Sequence, residues 1–132
     1  MTVLVDTSAL FALLDEGDAN HRAASLWFGE ARQSGETLVT HNYVVVEAAA
    51  LVHRRLGPES VRALLEDLLR VMDVVWVDEG LHRSAVSALL AASRRRPSLV
   101  DWVSFEFMRN PGIDRVFAFD RDFEVQGFQT VP

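Results

Sequence analysis

The sequence predicts an α/β domain, with a mostly parallel central sheet of about four to five strands flanked by helices, and one domain over residues 1–132. Three observations predict it. Val3-Leu4-Val5, Val74-Val75-Trp76-Val77 and Val116-Phe117-Ala118-Phe119 are short apolar runs with the β-branched and aromatic content of strands. Stretches with helical spacing separate them, which implies right-handed crossovers and parallel pairing. All three runs stop at an aspartate, Asp6, Asp78 and Asp120; Asp78-Glu79 reads more simply as a helix start, which leaves Asp6 and Asp120. The carboxyl ends of parallel strands share one rim, and in open α/β sheets ligands bind there.

Taken in order, Val3-Leu4-Val5 reads as a strand buried on both faces. Ala9 to Leu14 is a helix, and Asp6 or Thr7 could simply cap it. Asp15 to Asn20 is a polar turn, and Asn20 is a fair cap for a helix from His21 to Gln33. Ser34-Gly35 stops that helix, and Thr37 to Thr40 is a short strand. Val44 to Val52 favours helix, because its length and its alanines outweigh three valines. Gly57-Pro58 ends it, and Glu59 to Met72 is again helical. After the strand at Val74 to Val77 comes a helix from Asp78 to Arg94. Arg94-Arg95-Arg96-Pro97 breaks the pattern, and Ser98 opens a helix to about Arg109. Val116 to Phe119 is followed by Asp120-Arg121-Asp122-Phe123, and Phe128 to Val131 adds an edge strand.

Composition narrows the chemistry. A chain of 132 residues with 49% hydrophobic residues builds a real core. The absence of cysteine excludes disulfides, a cysteine nucleophile and thiolate metal sites, and favours a reducing compartment. No secretory signal and no apolar run of about 18 residues is visible, so the expected location is cytoplasmic with no membrane span. All thirteen cations are arginines. With no lysine there is neither a P-loop nor a Schiff base. A net charge of −6 argues against broad electrostatic binding of nucleic acid, but leaves room for an enzyme that holds it through metal and a few arginines.

Three acids stand where burial should forbid them. Glu47 lies between Val44-Val45-Val46 and Ala48-Ala49-Ala50, and a buried carboxylate is costly unless paired or metal-bound. A bridge to Arg54 or Arg55 is the alternative. Asp101 fits a capping box in Ser98-Leu99-Val100-Asp101, yet shares a mostly apolar face with Ser104, Phe105 and Met108. Asp120 ends its strand as Asp6 does. Like charges about 4 Å apart repel by roughly 1 kcal/mol even in water, so such a cluster calls for a resident cation. Oxygen ligands without cysteine suit Mg²⁺ or Mn²⁺. His21, His41, His53 and His82 show no ligand spacing and read as surface or packing residues. Arg94-Arg95-Arg96 is either a grip for nucleic-acid phosphates or a solvated loop.

Val5-Asp6-Thr7-Ser8-Ala9-Leu10, Glu47 on a mid-chain helix, Ser98-Leu99-Val100-Asp101 and Phe119-Asp120-Arg121-Asp122-Phe123 together resemble the PIN domain, in particular the VapC toxin type. The resemblance covers essentially the whole chain. It implies a metal-dependent endoribonuclease, the toxin of a toxin–antitoxin pair. The catalytic and metal-binding quartet would be Asp6, Glu47, Asp101 and Asp120, with Mg²⁺ or Mn²⁺ as cofactor. Ser8 matches the hydroxyl residue two places after the first aspartate. Asp122 stands where many relatives have histidine, so it would either supplement the metal site or face solvent; both rank below the quartet. The implied partners are an RNA substrate, an antitoxin bound helix-in-groove and a second copy in a homodimer. A PIN nuclease of RNA processing and a non-catalytic PIN-like RNA-binding module are the alternatives. Dehalogenase-like phosphotransferases and phosphorelay receivers also place an aspartate after the first strand, but both want a lysine.

Overall fold

The computed structural model describes residues 1–132. In chain order the elements are β1 (Thr2–Val5), α1 (Thr7–Leu14), α2 (His21–Gln33), β2 (Thr37–His41), α3 (Asn42–Leu56), α4 (Pro58–Arg62), β3 (Asp73–Val75), α5 (Glu79–Ala92), α6 (Leu99–Arg109), β4 (Arg115–Phe117), α7 (Asp122–Val125) and β5 (Gln129–Val131). After α4 the helical path continues through a π-helical turn, Ala63–Asp67, and a 3-10 turn, Leu68–Val71. The strands form one five-stranded sheet in the order β3-β2-β1-β4-β5, and every pairing is parallel. No helix is long and apolar enough to cross a membrane.

Strand alternation divides the core. Val3 and Val5 point to one face with Leu38 and Phe117, where α1, α2 and α3 add Leu10, Ala24, Val44 and Val52. Leu4, Val39 and Val116 point to the other face, against Phe105 and Met108 of α6 and Phe123 of α7. Three of the four β1 residues, Val3, Leu4 and Val5, are fully buried, as a strand covered on both faces requires. Helix α5 packs against α6, and Ala85 is its one buried residue.

The expected strand Val74–Val77 is shorter than its apolar run. It is the exposed edge, with Val75 39% and Trp76 76% accessible, and it leaves the sheet where the Val77 N–H donates to Asn42 Oδ1 at 2.6 Å. The strand expected at Val116–Phe119 stops at Phe117. There the Phe119 N–H turns away from the ladder and donates to Ser8 Oγ at 3.0 Å. Asn20 occupies the position before α2 but its side chain makes no capping bond; its own N–H donates to Asp18 Oδ2. Asp78 does cap α5, accepting from the Leu81 N–H at 2.8 Å. Gly57, at φ 94°, separates α3 from α4 in a backbone conformation that other residues rarely adopt.

Candidate active site

Strand order decides how far apart the rim acids lie. β1 and β4 are neighbours, so Asp6 and the residues after Phe117 leave the sheet side by side. The Asp6 N–H donates to the Phe117 carbonyl at 3.0 Å and extends the ladder by one bond. Asp6 is only 3% exposed. It is also the N-cap of α1: its Oδ2 accepts from the Ser8 N–H at 3.2 Å and the Ser8 hydroxyl at 2.7 Å. Capping and a buried place at the shared rim, alternatives in the sequence, coexist in one side chain.

Ser8 is engaged on both sides. Its single proton goes to Asp6, and its oxygen accepts the Phe119 N–H. The hydroxyl thus ties the first acid to the backbone just before Asp120, which makes it a positioning group. Thr7 does similar work for α3. Its hydroxyl donates to Glu47 Oε1 at 2.6 Å. Glu47 is half-buried and makes no bridge to Arg54 or Arg55; Arg55 lies over the Phe11 ring instead.

Asp101, Asp120 and Asp122 form the tightest group, each offering a carboxylate oxygen within 4.8 Å of the others. Asp101 is held by the expected capping box, its Oδ2 accepting from the Ser98 N–H at 3.0 Å while its own N–H donates to Ser98 Oγ at 3.2 Å. The Asp122 N–H donates to Asp120 Oδ1 at 2.9 Å, which folds the first turn of α7 back towards the rim. Asp122 is therefore in the cluster rather than turned to solvent. Asp6 and Glu47 lie outside this group of three but act on it electrostatically. Burial pushes Asp6 up to about 7 from an ordinary 3.8, and the Asp101 and Glu47 charges push the same way, against the Ser8 hydrogen bonds. Burial likewise pushes Asp101 up to about 6, aided by the Asp120 and Glu47 charges and opposed by Ser98.

A buried polar pair joins the elements that carry the acids. His41 ends β2, is fully buried, and meets Ser104 Oγ of α6 at 2.8 Å through Nε2. Its Nδ1 accepts from the Val44 N–H at 3.3 Å, so Nε2 carries the proton. Burial holds its imidazole down at about 4, hence neutral. The ring fixes the start of α3 against α6, and with it the approach of Glu47 to Asp101. Thr7 and the His41–Ser104 pair are the site-supporting residues that sequence reasoning missed. Only His41 carried a signal, since it stands at the carboxyl end of a strand.

The PIN domain family description matches residues 3–129. The chain belongs to the PIN domain family. As a PIN domain it is 37% identical over 131 residues to the 23S rRNA-specific endonuclease VapC20 of Mycobacterium tuberculosis, in strains CDC 1551 / Oshkosh and ATCC 25618 / H37Rv. That match spans 98% of this chain and 97% of the relative. The crystal structure of M. tuberculosis VapC20, described as a sarcin–ricin loop cleaving toxin, superposes with a TM-score of 0.85 at 34% identity, over 96% of this chain and 95% of that one. FitAcB from Neisseria gonorrhoeae shares the fold, with a TM-score of 0.69 at 14% identity over 100% and 97% of the two chains. The PIN fold accounts for the single parallel sheet and for the gathering of acids at one rim.

Ser8→Ala removes both bonds of its hydroxyl at once. If the acids hold a divalent ion, loss of a hydrogen-bond partner to one of them should lower the affinity for Mn²⁺ by about 10- to 100-fold, measured by calorimetric titration. An unchanged affinity would reduce Ser8 to a structural link between Asp6 and the Phe119 backbone.

Proposed function

We propose that this PIN domain is a metal-dependent endoribonuclease that cleaves ribosomal RNA, the toxin of a toxin–antitoxin pair. The observation that carries the reading is the convergence of Asp101, Asp120 and Asp122 within 4.8 Å beside the buried Asp6, in a chain so similar to an rRNA endonuclease. The donor set fits a hard divalent cation, Mg²⁺ or Mn²⁺, since every candidate ligand is a carboxylate oxygen. Asp101, Asp120 and Asp122 would hold the ion, with Asp6 and Glu47 completing the site directly or through water. Bound there, the ion would supply Lewis-acid polarisation of the phosphodiester and a water of lowered pKa.

The chain's own residues do the rest. Asp6 and Asp101, raised to about 7 and about 6, hold protons that a cation must displace. Loading therefore releases protons, and affinity rises with pH through that range. Thr7 keeps Glu47 aimed at the rim with one short hydrogen bond. Ser8 fixes the spacing between Asp6 and the Asp120 loop. No serine, cysteine or lysine nucleophile is required, in keeping with hydrolysis by water.

Toxicity of this kind needs a restraint, so an antitoxin belongs to the reading. A shallow groove of about 250 Å³ lined by Leu14, Phe28, Leu68 and Val71 suits the apolar face of an amphipathic helix. A homodimer is part of the same reading. The decisive experiment incubates purified protein with 23S rRNA and with a sarcin–ricin loop oligonucleotide, in Mg²⁺, in Mn²⁺ and in EDTA. Cleavage at one position, present with either ion and abolished by EDTA, is expected. Cleavage that survives EDTA would sink the metal mechanism, and inert RNA under every condition would sink the nuclease.

A further inference from the structure

Of the arginine triplet before α6, only Arg96 meets the acids. Its Nη2 lies 3.4 Å from Asp120 Oδ1 and 3.2 Å from Asp122 Oδ2, so one nitrogen spans two of the three clustered carboxylates. Arg94 and Arg95 are exposed and pair with no carboxylate. The Arg96 side chain is 73% exposed, whereas the two aspartates are 22% exposed. The guanidinium thus reaches in from solvent and closes over a half-buried pair of charges.

This arrangement has two chemical consequences. A guanidinium is always charged, so it supplies the positive charge that the acids need when no ion is bound. An ion pair this exposed is also weak and screened by salt, so a divalent cation can displace it easily. Once displaced, the guanidinium stands at the mouth of the site, on the loop between α5 and α6. Its planar fork of donors matches a phosphate oxygen pair better than any other side chain.

We propose that Arg96 exchanges partners during the reaction cycle, serving as counter-cation to Asp120 and Asp122 before the divalent ion binds and gripping an RNA phosphate beside the scissile bond afterwards. The assignment rests on the nuclease reading above. It gives the triplet one working member and leaves Arg94 and Arg95 to solvent. It also makes the chain a competitor for its own metal site.

The test compares Arg96→Gln and Arg96→Lys with the parent chain. Without RNA, Mn²⁺ affinity is measured by calorimetric titration at low salt. Loss of two exposed ion pairs should tighten Mn²⁺ binding of Arg96→Gln by about twofold to tenfold, with Arg96→Lys in between. With RNA and saturating Mn²⁺, Arg96→Gln should lose about tenfold or more in kcat/KM through a raised KM, and RNA binding should show a shallower salt slope. Unchanged Mn²⁺ affinity overturns the counter-cation role. Tighter Mn²⁺ binding with undiminished cleavage overturns the phosphate role and leaves Arg96 a simple competitor. Should the parent chain cleave no RNA, the nuclease reading itself falls, while the Mn²⁺ comparison still judges the first role. In EDTA, Arg96→Gln should melt slightly below the parent, by no more than a weak exposed ion pair contributes, and Arg96→Lys in between; a single cooperative transition in both variants separates these outcomes from misfolding.

Discussion

Asp6→Asn should lose metal-dependent RNA cleavage and, in EDTA at pH 8, melt at a higher temperature than the parent chain. The first half follows from chemistry. Asparagine keeps the shape of the N-cap and an acceptor for Ser8, but offers no anion to a cation. The loss in kcat/KM should reach at least the about 10²–10³-fold that deletion of one transition-state electrostatic contact costs. The second half follows from linkage. Asp6 has an ordinary value of 3.8 when exposed in the unfolded chain and about 7 when folded. Between those values the folded chain binds more protons than the unfolded one, so stability falls as pH rises through the window and levels off above it. The gap corresponds to about 4 kcal/mol at most. Asparagine has no charge to bury and escapes that cost. Its advantage over the parent should be absent near pH 4, grow to about pH 7 and stay flat beyond. Mn²⁺ should narrow or reverse that gap, since a bound ion would offset the cost of the buried Asp6 charge, which is present in the parent alone. Melting curves across pH with EDTA or Mn²⁺ check all of this. A variant that still cleaves, or is destabilised equally at every pH, would refute the role given to Asp6.

The difference between what the sequence announces and what it hides is physical. Asp6 and Asp120 were legible because a parallel sheet puts strand carboxyl ends on one rim whatever the strand order. That β1 and β4 are neighbours was not legible, because strand order depends on packing of both faces at once. Asp122 lies in a helix of four residues, too short to show a period, so its direction depends on one backbone bond to Asp120. Glu47 was singled out for its apolar neighbours, yet Val46 beside it is 68% exposed. Adjacent helical residues point about 100° apart, so an apolar neighbour in sequence says little about burial. The hydroxyl of Thr7, forty residues away, is what holds Glu47. Arg96 pairs with residues 24 and 26 positions on, and no local pattern encodes a contact of that kind. The exposed strand β3 was overestimated for the opposite reason. Its valines satisfy a propensity, but an edge strand needs only one covered side.

Phe105→Ala should be strongly destabilising, and its damage should reach the proposed metal site. Phe105 is fully buried on α6, one turn beyond Asp101. Its ring meets Trp102 edge-on at 5.3 Å, Phe123 edge-on at 5.1 Å and Phe128 stacked at 6.1 Å. Truncation removes those contacts and leaves a cavity that the rigid sheet beneath cannot fill. The expected loss is about 3–5 kcal/mol, a large part of the about 5–15 kcal/mol that holds a domain together. Phe123 follows Asp122 directly, so the same aromatic cluster that packs α6 also seats α7. Loosening it separates the helix that carries Asp101 from the turn that carries Asp120 and Asp122. Urea denaturation in EDTA should therefore show the stability loss, and Mn²⁺ titration under folding conditions should show weakened binding although no ligand has been touched. Phe105→Leu, which refills most of the volume, should recover much of both. If Phe105→Ala lost stability but bound Mn²⁺ like the parent, the acids would be held by their own hydrogen bonds alone. The aromatic cluster would then be packing without a part in the site.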